Sequence, residues 1–429
     1  MNAKLEFSPE LNSLKAARGL DTRDELRDFR SQFHLPVARG SQKALYFAGH
    51  SLGLMPKKAR SYIDTELDDW AKFAVEGHFH ARHPWLPYHE EVTDSLSRLV
   101  GANPAEVVAM NTLTVNLHLM MVSFYRPTKK RYKILIEKNT FPSDKYAVDS
   151  QARFHGLDPR DAIVELKGEG LTIDADSVLE QIRELGDSLA LVMLGDCNYL
   201  SGQYFDIDRI VEASHKTGAL CGFNLAHGAG NLKLSLHNSG VDFAVWCSYK
   251  YLNSGPGAIA GAFVHERHHK KAGPRFEGWW GHDKKTRFQM GPHFQGIPTV
   301  EAWQLSNPPI FQLAALRASL EIFDSAKISR LRKKGDALTF YLEGLLRTTL
   351  GSQAEIVTPA ARGSMLCVRI RGQNKAIMKK LEAHNTFIDF REPDIFRMTP
   401  APLYNSYEDC FRLVQKLDEV LNHKGKGSK

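Results

Sequence analysis

The sequence predicts an α/β fold: a large domain built on a mostly parallel seven-stranded sheet, and a smaller α+β domain after it. Three observations carry this prediction. Seven short apolar or β-branched runs alternate with helical stretches in the middle of the chain, which implies crossover connections and ligands at the carboxyl ends of the strands. A break at Ser306-Asn307-Pro308-Pro309 is followed by a different pattern, two long helical stretches and then short strands. The chain has 429 residues, 43% of them hydrophobic, which is enough for one large core and a second smaller one.

Taken in order, Thr22 and Glu25 have capping-box spacing, and Leu26, Phe29 and Phe33 follow at helical intervals, so the first segment reads as a helical arm. Pro56 is placed to open a helix whose Ile63, Leu67, Trp70 and Ala74 form one apolar stripe. The strand runs are Val107 to Met110, Tyr132 to Ile136, Ala162 to Leu166, Leu189 to Leu194, Leu220 to Asn224, Phe243 to Trp246 and Ala258 to Val264. Helices are expected over 310–324 and 328–349, a strand over Met365 to Ile370, a helix near 374–384 and then two short strands. The expected divisions are residues 1–75 as a helical arm and small-domain segment, 76–305 as the large domain, and 306–429 as the small α+β domain.

Composition excludes several classes. No stretch approaches the roughly 18 apolar residues of a membrane span, and the N-terminus lacks the apolar run of a secretory signal, so a cytoplasmic protein is expected. Cys197, Cys221, Cys247, Cys367 and Cys410 are odd in number and without CxxC spacing, which signals neither a disulfide framework nor a zinc site. The net charge is +7, but basic residues are dispersed apart from a cluster in the tail 423–429, so neither nucleic acid nor a membrane is an expected partner; a solvated surface and an anionic substrate explain the balance equally well.

The strongest chemical signal is Ser248-Tyr249-Lys250-Tyr251-Leu252-Asn253-Ser254-Gly255-Pro256-Gly257, which follows the Phe243 to Trp246 strand. A buried lysine at a strand exit loses its proton more readily and becomes a nucleophile for aldehydes, while a tyrosine hydroxyl and a glycine-rich turn suit a phosphate. Composition alone also allows a surface-loop lysine. Upstream, Asn224-Leu225-Ala226-His227-Gly228-Ala229-Gly230-Asn231 ends another buried strand, where a polar side chain can face a bound ring.

From Tyr46 to Tyr407 the chain resembles the kynureninases, members of the fold type I pyridoxal-phosphate (PLP) enzymes. Eight segments in family order carry the resemblance: YFAGHSLGL, MNTLTVNLHLMM, FPSDKYA, NLAHGAGN, WCSYKYLNSGPG, GWWGHD, LSNPPI and APLYNSY. The resemblance implies PLP as cofactor, Lys250 as its Schiff-base lysine and Tyr249 as a phosphate ligand. Leu113 and Thr114 match phosphate contacts at a helix start, Phe141 a ring-stacking residue, and Asp144, Asn224 and His227 further cofactor positions. Trp279 and Asn307 match cofactor contacts that come partly from a neighbouring subunit, so a homodimer with shared sites is implied. Ser51, His78, His282 and Asn307 match substrate-lining positions. Arg397 matches the arginine that grips the substrate carboxylate, a task suited to a planar fork of donors. No metal is implied. The implied activity is hydrolysis of L-kynurenine or 3-hydroxy-L-kynurenine to an anthranilate and L-alanine, within tryptophan breakdown toward NAD.

Three positions depart from the family pattern. Asn224 stands where an aspartate usually keeps the cofactor's ring nitrogen protonated, and a neutral amide cannot do this electrostatically. Gly195 replaces a hydroxyl residue, and His50 replaces an asparagine. Asp196, beside Gly195, is a candidate substitute carboxylate, although alternation along a strand turns neighbours to opposite faces. The expectations are therefore an active hydrolase, a PLP-binding relative with weakened or redirected activity, and a non-catalytic homologue. Retention of Lys250, Tyr249 and Arg397 together argues against the last.

Overall fold

The computed structural model describes residues 7–37, 43–270 and 274–422. The basic tail falls outside them. Thirteen strands occur among the described residues: β1 Leu45–Tyr46, β2 Val107–Ala109, β3 Lys133–Ile136, β4 Ile163–Glu165, β5 Leu189–Gly195, β6 Leu220–Asn224, β7 Phe243–Trp246, β8 Gly261–Val264, β9 Ala354–Ile356, β10 Leu366–Ile370, β11 Thr386–Phe387, β12 Asp389–Arg391 and β13 Ile395–Met398.

The seven-stranded sheet has the order β2-β8-β7-β6-β5-β3-β4. Pairings from β4 through β7 are parallel, whereas β8 runs antiparallel to both β7 and β2. The central parallel strands are buried on both faces, which is why β5 and β7 are continuous apolar runs and not alternating ones. Crossover helices carry the complementary pattern. In Ile207–Thr217 the buried residues are Ile207, Ile210, Val211 and Ser214, at helical spacing, so one face packs on the sheet. The Asp206 side chain accepts the Arg209 N–H at its start, and Gly218 ends it at φ +79°, a left-handed conformation that suits glycine. Replacing Asp206 with Ala costs such a helix about 1 kcal/mol.

A four-stranded antiparallel sheet, β12-β13-β10-β9, packs on the helices Ile328–Leu350 and Tyr407–Asn422. Its core also takes Ala17 and Phe47 from the N-terminal part. In a third, two-stranded sheet, β1 pairs in parallel with β11, tying the first strand to the last third of the chain.

The N-terminal part departs from the expected arm. Thr22 ends the helix Leu14–Thr22 instead of capping a new one, and its hydroxyl donates back to the carbonyls of Arg18 and Gly19. Leu26 and Phe33 are buried, but they flank a 3-10 segment, Arg27–Gln32. The helix expected from Pro56 begins at Ala59, because Pro56 is held in an isolated bridge with Phe33. Of the expected stripe, Ile63 packs on the large core, and Ala74 lies past the helix end in a 3-10 turn. Glu66 and Asp69 point inward, where Glu66 accepts from Trp85 Nε1 (3.0 Å) and Tyr88 Oη (2.8 Å), while Leu67 and Trp70 face out at 42% and 57% exposure. Downstream, three short strands, not two, follow the helix Ile377–Ala383.

No helix among the described residues is long and apolar enough to cross a membrane. All five cysteines are buried and free.

Candidate active site

A cavity opens at the carboxyl ends of the central strands, the place where open α/β sheets bind their ligands. Three strand exits supply its floor: Gly195 from β5, Asn224 from β6, and Tyr249 and Lys250 from the turn after β7. Two helix starts supply a wall, Leu113 and Thr114 at the head of Leu113–Phe124, and Ser143 and Asp144 at the head of Pro142–Phe154. The Thr114 and Ser143 hydroxyls lie 2.9 Å apart, so both N-termini and both hydroxyls converge on one spot. Unsatisfied N–H groups and the helix dipoles make such a spot attractive to a phosphate.

Lys250 is partly buried. Its Nζ lies 3.4 Å from His227 Nε2 and 5.9 Å from the centre of the Phe141 ring. Burial lowers the amine's pKa; Arg397 and Arg391 push the same way, and Cys247 and Asp144 push back. His227 is lowered well below the ordinary imidazole range by burial and then by Lys250, so it stays neutral. A neutral ring facing the amine through Nε2 can accept a hydrogen bond from it.

Asp144 and Asn224 form the other polar pair. Asn224 Nδ2 donates to Asp144 Oδ2 at 2.6 Å, and Asn224 Oδ1 accepts the Ala226 N–H at 2.9 Å. The amide is therefore committed on both sides, whereas Asp144 Oδ1 is buried without a partner. Burial raises the Asp144 pKa to about 6, against the Asn224 hydrogen bond and the Lys250 charge. Glu137, a second carboxyl in the wall, is raised to about 8 by burial, with Asn198 as its donor. At neutral pH Asp144 is thus the ionised carboxylate of the cavity, and Glu137 is mostly protonated.

Asp196 does not line the cavity, although its neighbours Gly195 and Cys197 do. Its Oδ1 accepts the Cys197 N–H at 2.8 Å, and its Oδ2 fills the place a side chain at 228 would need, 1.3 Å from where a Gly228 Cβ would stand. Strand alternation thus holds, and the carboxylate beside Asn224 is that of Asp144.

Of the residues singled out from sequence, Leu113, Thr114, Phe141, Asp144, Asn224, His227, Tyr249 and Lys250 line the cavity together. Ser51 does not line it, but its turn is tied to the lysine loop, since the Gly53 N–H donates to the Tyr249 carbonyl at 2.8 Å. Arg397 is 2% exposed and lies outside the lining; its Nη1 donates to the carbonyl of Tyr199, a lining residue, at 2.8 Å, and its Nη2 to Asp389. His78, Trp279, His282 and Asn307 also lie outside the lining of their own chain. His78 bonds the Val75 carbonyl and packs edge-on against Trp85, His282 bonds Thr286, Trp279 donates to the Arg287 carbonyl, and Asn307 is exposed. Sequence reasoning missed Ser143, Glu137, Cys197 and Tyr199. Ser143 alone carried a signal, its place inside FPSD at a helix start.

A model of the kynureninase C-terminal domain matches residues 331–417. The kynureninase of Myxococcus xanthus is 59% identical over 409 residues, covering 94% of this chain and 96% of its own. The chain belongs to the kynureninase family. The kynureninase of Koribacter versatilis is 52% identical over 410 residues, covering 94% of this chain and 96% of its own. Among solved structures, a C-DES mutant with glycine covalently linked to its PLP cofactor superposes with a TM-score of 0.77 at 16% identity, covering 91% of this chain and 99% of its own. The cysteine desulfurase CsdA of Escherichia coli gives 0.76 at 16%, covering 92% and 98%. At such identity these two establish the fold only.

The cavity of this kynureninase-family chain fits PLP on its own chemistry. It offers an amine of lowered pKa for the aldehyde, two helix starts with paired hydroxyls for the phosphate, and an orphaned carboxylate oxygen for a ring cation.

Proposed function

We propose that this chain is a PLP-dependent kynureninase, hydrolysing L-kynurenine, 3-hydroxy-L-kynurenine or both to an anthranilate and L-alanine. The observation that carries the reading is the Lys250 amine, lowered in pKa and 3.4 Å from a neutral His227, in the cavity that Asp144 keeps anionic. When bound, PLP supplies an electron sink for the negative charge that develops on the substrate carbons during cleavage.

Each side chain then has a task. Lys250 Nζ would hold the cofactor and, when free, move the proton at the substrate's α carbon; a lowered pKa favours the unprotonated form that acts as a base. His227 Nε2 accepts from Nζ and fixes its direction. Thr114, Ser143 and Tyr249 receive the phosphate, and Phe141 walls the ring. Asp144, whose Oδ1 is buried without a partner, would hold the charged ring nitrogen, a duty Asn224 cannot perform as an amide; Asn224 instead holds Asp144 in place. Arg397 receives the substrate carboxylate, held meanwhile by the Tyr199 carbonyl and Asp389.

The reading includes a homodimer in the cytoplasm on the kynurenine route. Support for the dimer is the outward apolar surface of a single chain, where Trp70, Val75, Phe79, Phe276 and Phe288 are 57%, 70%, 54%, 56% and 52% exposed. His78 is in the same stretch as Val75 and Phe79, and Trp279 lies between Phe276 and Phe288, so a partner subunit would carry these residues to the neighbouring cavity.

The test is anthranilate release from L-kynurenine by wild type, Lys250→Ala and Asn224→Asp. Wild type turns over, Lys250→Ala does not and takes up no cofactor on borohydride reduction, and Asn224→Asp stays within tenfold of wild type. An inert wild type activated at least tenfold by Asn224→Asp, about 1.4 kcal/mol in barrier, would mean Asp144 does not serve the ring.

A further inference from the structure

The side chain of Asp389 is shared more widely than a single ion pair requires. On the small antiparallel sheet, Asp389 of β12 stands directly opposite Arg397 of β13, and Arg391, two residues along β12, projects from the same face. Asp389 Oδ2 accepts from Arg397 Nη2, from Arg391 Nη2 at 3.2 Å and from His50 Nε2 at 3.3 Å. His50 is fully buried, and its Nδ1 lies 2.8 Å from the Thr399 hydroxyl. Burial and the Arg397 charge lower its pKa to about 3, so its Nε2–H is a neutral donor.

The cluster therefore holds two guanidinium cations against one carboxylate. Of the nearby acids, Glu392 beside Arg391 is exposed, and Asp394 and Glu355 are engaged by Arg369 at 2.6 and 3.0 Å, so Asp389 is the carboxylate that pairs with both Arg391 and Arg397. Two donors in the cluster, Arg391 Nε and Arg397 Nε, are buried without a partner. Buried charged donors left unpaired are costly unless an anion meets them. Both arginines act on Lys250 and His227, which face the cavity.

We propose that Arg391 is a positioning residue for the anionic end of the substrate: by sharing Asp389 it prevents that carboxylate from neutralising Arg397, and so leaves Arg397 an uncancelled charge with which to hold the amino acid's carboxylate. The inference rests on the reading of Arg397 as the carboxylate-binding arginine. Arg391 need not touch the substrate. Without it, Asp389 and Arg397 form a closed one-to-one pair with little attraction left for a second carboxylate. With it, the incoming carboxylate completes a two-to-two arrangement. His50 adds a hydrogen bond that fixes Asp389 without altering the charge count.

A double-mutant cycle tests this, because charge balance and simple structural support predict opposite signs. Steady-state kinetics with L-kynurenine are measured on holoenzyme of wild type, Arg391→Gln, Arg391→Lys, Asp389→Asn/Arg391→Gln and Arg397→Lys, with cofactor absorbance and thermal unfolding recorded for each. Arg391→Gln raises KM at least tenfold with kcat within threefold, and Arg391→Lys, which keeps the charge on a side chain 38% exposed, stays within threefold of wild type. Adding Asp389→Asn to Arg391→Gln uncovers Arg397 and lowers KM at least threefold from the single variant. An unchanged KM in Arg391→Gln, a double variant no better than it, or a tenfold rise in Arg391→Lys overturns the inference. Arg397→Lys separates the two readings: a raised KM there with none in Arg391→Gln defeats this inference alone, and an unchanged KM in Arg397→Lys defeats the assignment of Arg397 itself.

Discussion

Replacing Asp144 with Asn leaves side-chain size nearly constant and removes the one cavity carboxylate that is ionised at neutral pH. The pKa of Asp144 is raised from 3.8 to about 6 because burial penalises its charged form. That displacement corresponds to about 3 kcal/mol at 1.36 kcal/mol per pH unit. The sign follows from linkage. With its native pKa raised, the folded protein binds the proton more tightly than the unfolded chain between pH 3.8 and about 6, so this group's contribution to stability falls as pH rises through that window. Cofactor-free Asp144→Asn is therefore more stable than wild type at pH 8, by up to about 3 kcal/mol, and the advantage disappears below pH 4. An amide at 144 can still accept from Asn224, so that hydrogen bond survives. Cofactor binding moves the other way. Losing a charge-assisted hydrogen bond to the ring nitrogen costs about 1.5–3 kcal/mol, a fall in PLP affinity of roughly 10- to 150-fold. Thermal unfolding of cofactor-free protein at pH 4, 6 and 8 reads the first effect, and fluorescence titration with PLP the second. A variant less stable than wild type at pH 8, a pH-independent difference, or PLP affinity within twofold of wild type would refute the reasoning.

Two further outcomes follow from packing. Gly228→Ala places a methyl 1.3 Å from the Asp196 carboxylate and destabilises the protein by at least about 2 kcal/mol, while Asp196→Ala in the same chain recovers part of the loss; chemical denaturation that finds the double variant no more stable than Gly228→Ala contradicts this. Trp70→Asp, on the outward face of its helix and 57% exposed, weakens self-association at least tenfold in sedimentation without lowering the unfolding temperature of the dissociated chain; unchanged association removes this face from the interface.

The sheet was legible because its strands are buried on both faces and so appear as uninterrupted apolar runs: Leu220–Asn224 and Phe243–Trp246 lie where their composition placed them. The lysine loop and its neighbours were legible because they occupy strand exits and helix starts, positions set by local pattern. What escaped depended on long-range partners. Glu66 and Asp69 face inward because Trp85, Tyr88 and Arg82 await them there, and no periodicity reveals those partners. The same holds for Asp389, whose role emerges only when β12 pairs with β13 and brings it opposite Arg397. Of the apolar stripe expected on the Ala59–Phe73 helix, Ile63 packs on the core while Leu67 and Trp70 stay exposed, because amphipathicity marks a face without marking what covers it.

Lys250 hangs from the seven-stranded sheet, whereas the arginine pair that bears on its proton affinity belongs to the four-stranded one. The two sheets thus meet electrically at the amine: burial within the large one does most to ease its proton away, and the positive field reaching across from the small one works in the same direction.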